Sequence, residues 1–213
     1  MMRARFSVFV MLLGLMLLLP GVAQAHPHVW VVMRSQLVYA PDGTLTGVKQ
    51  EWTFDEAFSA FALQGMAKQK DGTYGDDVLK PLAEVNISSL KEYDYFVTAK
   101  SATARLRLKD PQDYYLTYKD DALTLHFTLP LVRPAPARDQ VSIDIYDPTY
   151  FVAFEFAPKD AVKLVDAPAG CTEKVVSPPR PQTGTLSEDF FENLSQASEF
   201  SAQIADKIVV RCP

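Results

Sequence analysis

Apolar and polar residues alternate along much of the chain, a pattern that predicts β-strands. The alternation is longest in Val29–Tyr39, and in 122–129 four apolar residues alternate with Thr124, His126 and Thr128. A turn signal at Pro41, Asp42 and Gly43 follows the first strand. Further strands are predicted at 45–54, 104–109, 114–119, 141–145, 150–156, 162–165, 174–176 and 208–212, with Arg133 to Ala137 as a stiff proline-rich connector.

The period changes to that of a helix between about 55 and 95 and again near the C-terminus. Asp55 can cap a first helix, and a second helix is predicted at 77–93. Capping-box spacing at Thr185 and Glu188 opens a third, amphipathic helix that ends near Ile204. The apolar positions expected to face the core are Ala57, Phe58, Phe61, Ala62 and Met66 in the first helix, and Val78, Leu82, Val85 and Leu90 in the second.

The loop between the first two helices has the outline of an EF-hand. If Gly72 is the sixth-position glycine, Asp71 holds the fifth position, Ala67 the first and Val78 the twelfth. The carboxylates at the first and twelfth positions are therefore missing, and calcium binding is not expected. The predicted fold class is α+β, mainly β: an antiparallel β-sandwich-like domain with an inserted EF-hand-like helical hairpin and a C-terminal helix.

The first 25 residues have the three-part layout of a cleavable signal peptide. Arg3 and Arg5 precede an apolar run, and the small-residue pattern Ala23-Gln24-Ala25 follows it. The run is short for a transmembrane helix, which needs about 20 apolar residues. We therefore predict a signal peptide at 1–25 and a single β-rich domain at 26–213, located in the periplasm and not embedded in the membrane.

Cleavage after Ala25 would place a cluster of nitrogen ligands at the new N-terminus. His26 would carry a free α-amine beside its own imidazole, and His28 follows two residues later. Such nitrogens suit Zn²⁺, Ni²⁺, Co²⁺ or Cu²⁺. Pro27 has no N–H and so excludes a square-planar site built on a deprotonated amide at position two. The competing interpretation is a pair of solvated histidines.

Three further side chains could complete this cluster. His126 lies on the polar side of its predicted strand, so it is either a ligand or a plain solvent-facing histidine. Asp55 and Asp147 supply carboxylates, although the first can serve as a helix cap and the second as a turn residue. The predicted metal ligands are therefore His26, His28, His126, Asp55 and Asp147.

The formal net charge narrows the class of partner. Loss of Arg3 and Arg5 with the signal peptide changes the formal net charge from −5 to −7, which argues against nucleic acid and anionic membranes as partners.

Cys171 and Cys212 are the two cysteines of the chain, and in an exported protein such a pair predicts a disulfide. A thiolate metal site is the alternative for this pair.

Five segments together resemble a bacterial exported family known as domain of unknown function 1007. They are HPHVW at 26–30, WTFDEAFS at 52–59, LKEYDYF at 90–96, FTLPL at 127–131 and YDPTYF at 146–151. The resemblance covers nearly the whole mature chain and implies an accessory role in the transport of a transition metal such as nickel, cobalt or zinc. Relatives often carry an intact Asp-rich loop where this chain has 67–78.

Three hypotheses follow from these observations. The first is a non-enzymatic periplasmic protein that binds a divalent transition metal and serves an inner-membrane metal transporter. The second is a copper-dependent oxidative enzyme that uses the N-terminal histidine. The third is a metal-free interaction module of an envelope transport complex. Hydrolytic chemistry is poorly supported, since the chain lacks a Gly-x-Ser-x-Gly elbow and a free catalytic cysteine.

Overall fold

The computed structural model describes residues 27–179 and 193–213, and within them two β-sheets dominate. The six-stranded sheet has the order β5-β6-β2-β1-β8, with β9 also paired to β1, and the five-stranded sheet has the order β10-β11-β7-β3-β4. The strands are β1 Val29–Tyr39, β2 Thr44–Phe54, β3 Val97–Ser101, β4 Arg105–Leu106, β5 Gln112–Lys119, β6 Ala122–Pro136, β7 Val141–Ile145, β8 Val152–Phe156, β9 Val162–Val165, β10 Thr172–Val176 and β11 Lys207–Arg211.

The expected fold class, α+β and mainly β, is confirmed. Helix α1 spans Glu56–Ala62, α2 spans Asp76–Leu90 and α3 spans Leu194–Ile204, with a short 3-10 segment at Lys91–Phe96. All strand pairs are antiparallel except those of β8 and β9, which lie parallel to β1. The start of the predicted third helix, at Thr185 and Glu188, and the signal peptide at 1–25 lie outside the described residues.

Strand alternation decides which side chains enter the core. In β1 every second residue from Val29 to Tyr39 is buried, and the intervening residues face outward. Trp52 is 1% exposed and packs edge-on against Phe127 and Phe154, each at a ring-centroid distance of 4.8 Å. Such aromatic pairs add stability beyond the apolar area they bury. The buried side chains of both sheets belong to one hydrophobic cluster, completed by Ile143, Ile145, Ile208 and Val210 from the five-stranded sheet.

The predicted face of α2 is confirmed in part, because Val78, Leu82 and Leu90 are half-buried against the core but Val85 is not. Leu79, Ala83 and Ile87 are buried, whereas Val85 is 61% exposed. The buried face is therefore centred on Leu79, Ala83 and Ile87, next to the predicted positions, and this helix packs against β5. In α1, Phe61 was expected in the core but is 72% exposed.

The proline-rich segment 133–137 was predicted as a connector, and that prediction was wrong. Strand β6 continues to Pro136, pairing Ala135 with Leu45 and Pro136 with Thr44 beyond a register shift in β2. Proline is compatible with extended backbone where an irregular ladder does not need its missing N–H. Gly47 lies at this shift, and a Cβ there would stand 2.9 Å from the carbonyl oxygen of Leu129. The close approach of β2 and β6 therefore requires glycine.

The predicted disulfide between Cys171 and Cys212 is present. It joins the segment just before β10 to the end of β11, two strands that are also hydrogen-bonded neighbours. In the part of the chain described, no helix is long and apolar enough to cross a membrane.

Replacing both cysteines with serine should lower the free energy of unfolding. The bond closes a sequence separation of 41 residues, for which loop-closure entropy gives about 4 kcal/mol. Urea denaturation of the oxidised protein and the Cys171→Ser/Cys212→Ser variant measures the difference. Wild-type protein reduced with dithiothreitol is the matched control, and equal stability of all three samples would contradict the prediction.

The Ile87→Ala and Val85→Ala variants of α2 should differ sharply in how much they lower the free energy of unfolding. Removing the buried Ile87 side chain should cost about 2–4 kcal/mol through lost burial and a cavity. The exposed Val85 side chain should contribute less than about 0.5 kcal/mol. Thermal and urea unfolding of the two variants checks which stripe faces the core, and a larger loss for Val85→Ala would contradict the observed packing.

Candidate functional site

His28 directly precedes β1 and is held in place by the loop between β7 and β8. Its N–H donates to the carbonyl of Phe151 at 2.9 Å, and the N–H of Val29 donates to the same oxygen at 3.2 Å. The His28 and Phe151 rings stack, with centroids 4.8 Å apart and planes inclined by 27°. Pro27, directly before it, is buried, whereas His28 itself is exposed. The backbone of His28 is therefore held in place while its imidazole ring is accessible from solvent.

Asp147 fixes the loop that contacts His28. Its side chain is 3% exposed; Oδ1 accepts from the N–H and the hydroxyl of Thr149, each at 2.8 Å, and Oδ2 accepts from the Val152 N–H at 2.9 Å. These bonds satisfy the buried carboxylate and set the turn that presents Phe151. In this arrangement Asp147 acts as a turn residue that positions the aromatic partner of His28.

Asp55 lies on the opposite flank of β1 from Phe151. Its Oδ1 accepts the Phe58 N–H at 2.8 Å, which caps α1, and its Oδ2 accepts the Trp30 N–H at 2.8 Å. Trp30 is two residues from His28 along β1, a separation of about 7 Å. The carboxylate is therefore near the start of β1, and both its oxygens are already engaged by backbone donors.

His126 occupies a different region of the same outer sheet face. It pairs across strands with Glu51 on β2 and Tyr115 on β5, and Glu51 pairs with Arg34 on β1. Arg34 is six residues from His28 along β1, so His126 lies roughly 20 Å from the N-terminal histidines. Asp55 thus stands beside Trp30, Asp147 lies in the loop that contacts His28, and His126 lies apart from both. His26 lies outside the described residues.

The His126 imidazole is half-buried and structurally constrained. Its Nε2 is 3.0 Å from the Thr117 hydroxyl, its ring stacks on Tyr115 at 4.5 Å, and its Nδ1 lies 3.9 Å from Glu51 Oε2. Burial is the main reason that its pKa is lowered; Lys49 lowers it further, whereas Glu51 opposes the shift. The ring is consequently neutral at neutral pH.

A polar trough surrounds this histidine on the outer face of the six-stranded sheet. It has a volume of about 460 Å³, and its floor includes Arg34, Gln36, Lys49, Glu51, His126 and Thr128. Asp113 and Tyr115 on β5 line it at one end of the strand order, and Asp160 with Lys163 of β9 line it at the other. Sequence reasoning found His126 but missed its neighbours; outward positions on predicted strands could have suggested them, but strand order was needed to bring them together.

The EF-hand-like loop is closed by its own side chains. Asp71 Oδ1 accepts from the N–H of Thr73 at 3.0 Å and from its hydroxyl at 2.6 Å, and the Gln69 N–H donates to the Thr73 carbonyl at 2.8 Å. Gly72 has φ +84°, a conformation that glycine adopts without strain. These hydrogen bonds hold the turn through groups of the loop itself, and the lack of calcium binding stays a prediction.

Within residues 27–179 and 193–213, no three His, Cys, Asp or Glu side chains are grouped so that they could hold a metal ion. The cluster predicted at the mature N-terminus includes His26, which is not among those residues. Of the predicted ligands in that region, the described ones are His28, which is exposed, and Asp55, which is bound to the Trp30 and Phe58 N–H groups.

Comparison with known proteins identifies relatives but no activity. The family described as "Protein of unknown function (DUF1007)" matches residues 11–212. An uncharacterized protein of Haemophilus influenzae is 26% identical over 192 residues, which cover 88% of this chain and 91% of that protein. An uncharacterized 15.5 kDa protein in the trpE 3′ region of Spirochaeta aurantia is 26% identical over 110 residues, which cover 51% of this chain and 79% of that protein.

Acid should destabilise the protein partly through His126. Its pKa is lowered from 6.5 in the folded state, so below pH 6.5 the unfolded chain binds the proton more readily and stability falls. His126→Gln should lose less stability than wild type between pH 7 and about pH 5. Urea denaturation at several pH values measures this, and parallel stability curves for the two proteins would contradict it.

Proposed function

The chain belongs to the DUF1007 family, and on that premise we propose that it is a periplasmic accessory protein that binds a divalent transition metal for transport. The metal, which is Zn²⁺, Ni²⁺, Co²⁺ or Cu²⁺, is cargo held by the mature N-terminus. Its predicted ligands are the α-amine and imidazole of His26 together with the imidazole of His28. An inner-membrane metal transporter is the proposed recipient.

The observation that carries this proposal is the anchoring of His28. Two backbone hydrogen bonds to Phe151 and a ring stack hold the residue at the start of a long strand. A ligand fixed in this way loses little conformational freedom when a metal binds, whereas a histidine on a loose terminus would have to be ordered. The exposed ring leaves the metal accessible to a partner.

The chemistry of the proposed donor atoms fits a metal cation of borderline hardness. Imidazole and amine nitrogens suit late first-row divalent ions, and Asp55, whose Oδ2 accepts the Trp30 N–H at the start of β1, is the proposed carboxylate ligand. Asp55 retains lone pairs beyond its bonds to the Trp30 and Phe58 N–H groups, so it can approach the ion directly or through water. Asp147 supports the site by positioning Phe151, and His126 is too distant to share the ion.

The disulfide supports an oxidising compartment. Bonds of this kind form and persist in exported proteins and are rare in the cytosol. Together with the predicted signal peptide at 1–25, it favours the periplasm as the location. Export also matters for the chemistry, because cleavage after Ala25 generates the free amine.

The second candidate function is a metal-free interaction module of an envelope transport complex. Trp30 is 49% exposed, Phe151 46% and Phe61 72%, and exposed aromatic side chains are enriched at protein interfaces. In this case His28 would be a contact residue only. Metal content separates the two functions, because the interaction module has no requirement for an ion.

Protein exported and cleaved in a Gram-negative periplasm should carry close to one metal ion per chain. Inductively coupled plasma mass spectrometry of the purified protein measures the content and identifies the element. His26→Ala/His28→Ala should lose the metal because two imidazoles are removed, whereas the matched variant His126→Ala should retain it. A form with an additional N-terminal methionine should bind more weakly, because its amine is displaced from His26.

Two results would contradict the proposed function. One is a native protein that is metal-free and takes up none of Zn²⁺, Ni²⁺, Co²⁺ or Cu²⁺ in an equilibrium titration. The other is a bound ion that the His26→Ala/His28→Ala variant retains in full. The first result would favour the interaction module.

A further inference from the structure

We propose that the outer face of the five-stranded sheet, which we call the basic face, binds electrostatically to a membrane surface that carries anionic phospholipids. The cations of the basic face are Lys100, Lys174, Lys207, Arg105 and Arg211, from strands β3, β10, β11, β4 and β11. This face belongs to the other sheet from the N-terminal histidines and the polar trough. The proposal rests on the proposed location beside an inner membrane, and it requires no bound metal.

Strand alternation places these cations on the side of the sheet that faces away from the core. In β11 Ile208 and Val210 are buried in the core, so the residues between and beside them point outward. Strand register then carries this outward side across the whole sheet. One row of neighbours on it consists of Lys174 of β10, Val209 of β11, Ser142 of β7, Lys100 of β3 and Arg105 of β4.

Asp144 of β7 is the acidic side chain among the strand residues of the basic face. Its carboxylate is 7% exposed and lies 3.2 Å from Lys100 Nζ and 3.8 Å from Lys207 Nζ. One carboxylate offsets the charge of only one of the two lysines, and their side chains remain 52% and 42% exposed. Glu173 of β10 lies opposite the buried Val210 and therefore belongs to the other side of the sheet.

Two cations of the basic face have no carboxylate partner in the described part of the chain. Lys174 and Arg211 are both exposed, and the Arg211 Nε donates to the amide oxygen of Gln140 at 2.7 Å, which leaves its charge uncompensated. At the β4 edge of the sheet, by contrast, Arg105 pairs with Asp94 at 3.0 Å. The excess positive charge is therefore concentrated toward β10 and β11.

The negative net charge of the whole mature chain argued against an anionic membrane, but attraction to a surface is decided locally. Exposed charges are screened beyond a Debye length of about 8 Å at physiological ionic strength. The acidic residues Asp76 and Asp77 begin α2, which packs against β5, and Asp120 and Asp121 form the turn between β5 and β6. These elements belong to the six-stranded sheet, and packed sheets lie about 10 Å apart.

The lateral spread of the cations fits a surface rather than a single small anion. Three strand spacings separate Lys174 from Lys100 along their row, a distance of about 14 Å. One small anion cannot contact both side chains, whereas an array of separate headgroup phosphates can. Lysine is a compact charge on a flexible stem, which suits such diffuse attraction better than bidentate binding of one carboxylate on a protein.

Apolar side chains between the cations are compatible with contact at the headgroup level. Val176 is 40% exposed and Val209 is half-buried on the same face. Together with Thr172, Lys174 and Arg211 they line a shallow depression of about 310 Å³. An anionic surface placed over this depression would meet the two unpaired cations directly.

Co-sedimentation of the cleaved mature protein with lipid vesicles tests the proposal. Vesicles of equal parts phosphatidylcholine and phosphatidylglycerol should bind the protein, and vesicles of phosphatidylcholine alone should not. Raising the salt concentration to about 1 M should release the protein, because the Debye length then falls to roughly 3 Å.

Two double variants show whether the basic face is responsible. Lys174→Gln/Arg211→Gln should weaken binding to the anionic vesicles by roughly 5-fold per residue, since each cation near an anionic surface contributes to the attraction. Lys49→Gln/Lys163→Gln removes the same charge from the outer face of the six-stranded sheet and should retain wild-type binding. All four residues are exposed, so circular dichroism of both variants should match wild type.

Three outcomes would overturn the proposal. They are the absence of binding to the anionic vesicles, equal binding to phosphatidylcholine alone, and an equal loss in the two double variants, which would indicate overall charge rather than a specific face. Binding of poly-L-glutamate without binding of vesicles would overturn it in favour of an acidic protein partner. The His26→Ala/His28→Ala variant should bind vesicles as wild type does, so failure of metal binding and failure of membrane binding are distinguishable.

Discussion

The pairing of β1 with three neighbouring strands is the interaction on which the rest of the structure depends. Strand β1 lies antiparallel to β2 on one side and parallel to β8 and β9 on the other. Its inward residues supply part of the hydrophobic core, while its outward residues run from His28 to Arg34. Because one strand carries both the N-terminal histidine and an edge of the polar trough, the core fixes the positions of both.

Parallel pairing of β1 with β8 has a local consequence for the proposed metal site. It brings the loop before β8 beside the first residues of β1, where the Phe151 carbonyl accepts two N–H groups. Asp147 is a buried residue of this loop, and its carboxylate accepts three hydrogen bonds. Loss of that carboxylate would therefore act on His28 through the position of Phe151.

The N-terminal site and the polar trough use the outer face of the six-stranded sheet in different ways. At the N-terminal end, the proposed nitrogen donors belong to His26 and His28, which precede β1 in the sequence. In the polar trough, charged side chains come from several neighbouring strands, and Arg34 of β1 pairs with Glu51 of β2 at 3.2 Å. The distance between the regions means that each can be altered without direct contact with the other, since substitutions that share no partners usually have additive effects.

The sequence by itself determined the mainly β character of the chain, most strand positions, the Asp55 helix cap and the disulfide pair. These features follow from local periodicity, capping chemistry and the presence of two cysteines. Tertiary structure decided the helix face, where Ile87 rather than Val85 is buried, and the continuation of β6 through its prolines. It also decided which candidates meet: His126 stands beside Glu51 and Tyr115 because strand order is a non-local property that no single segment specifies.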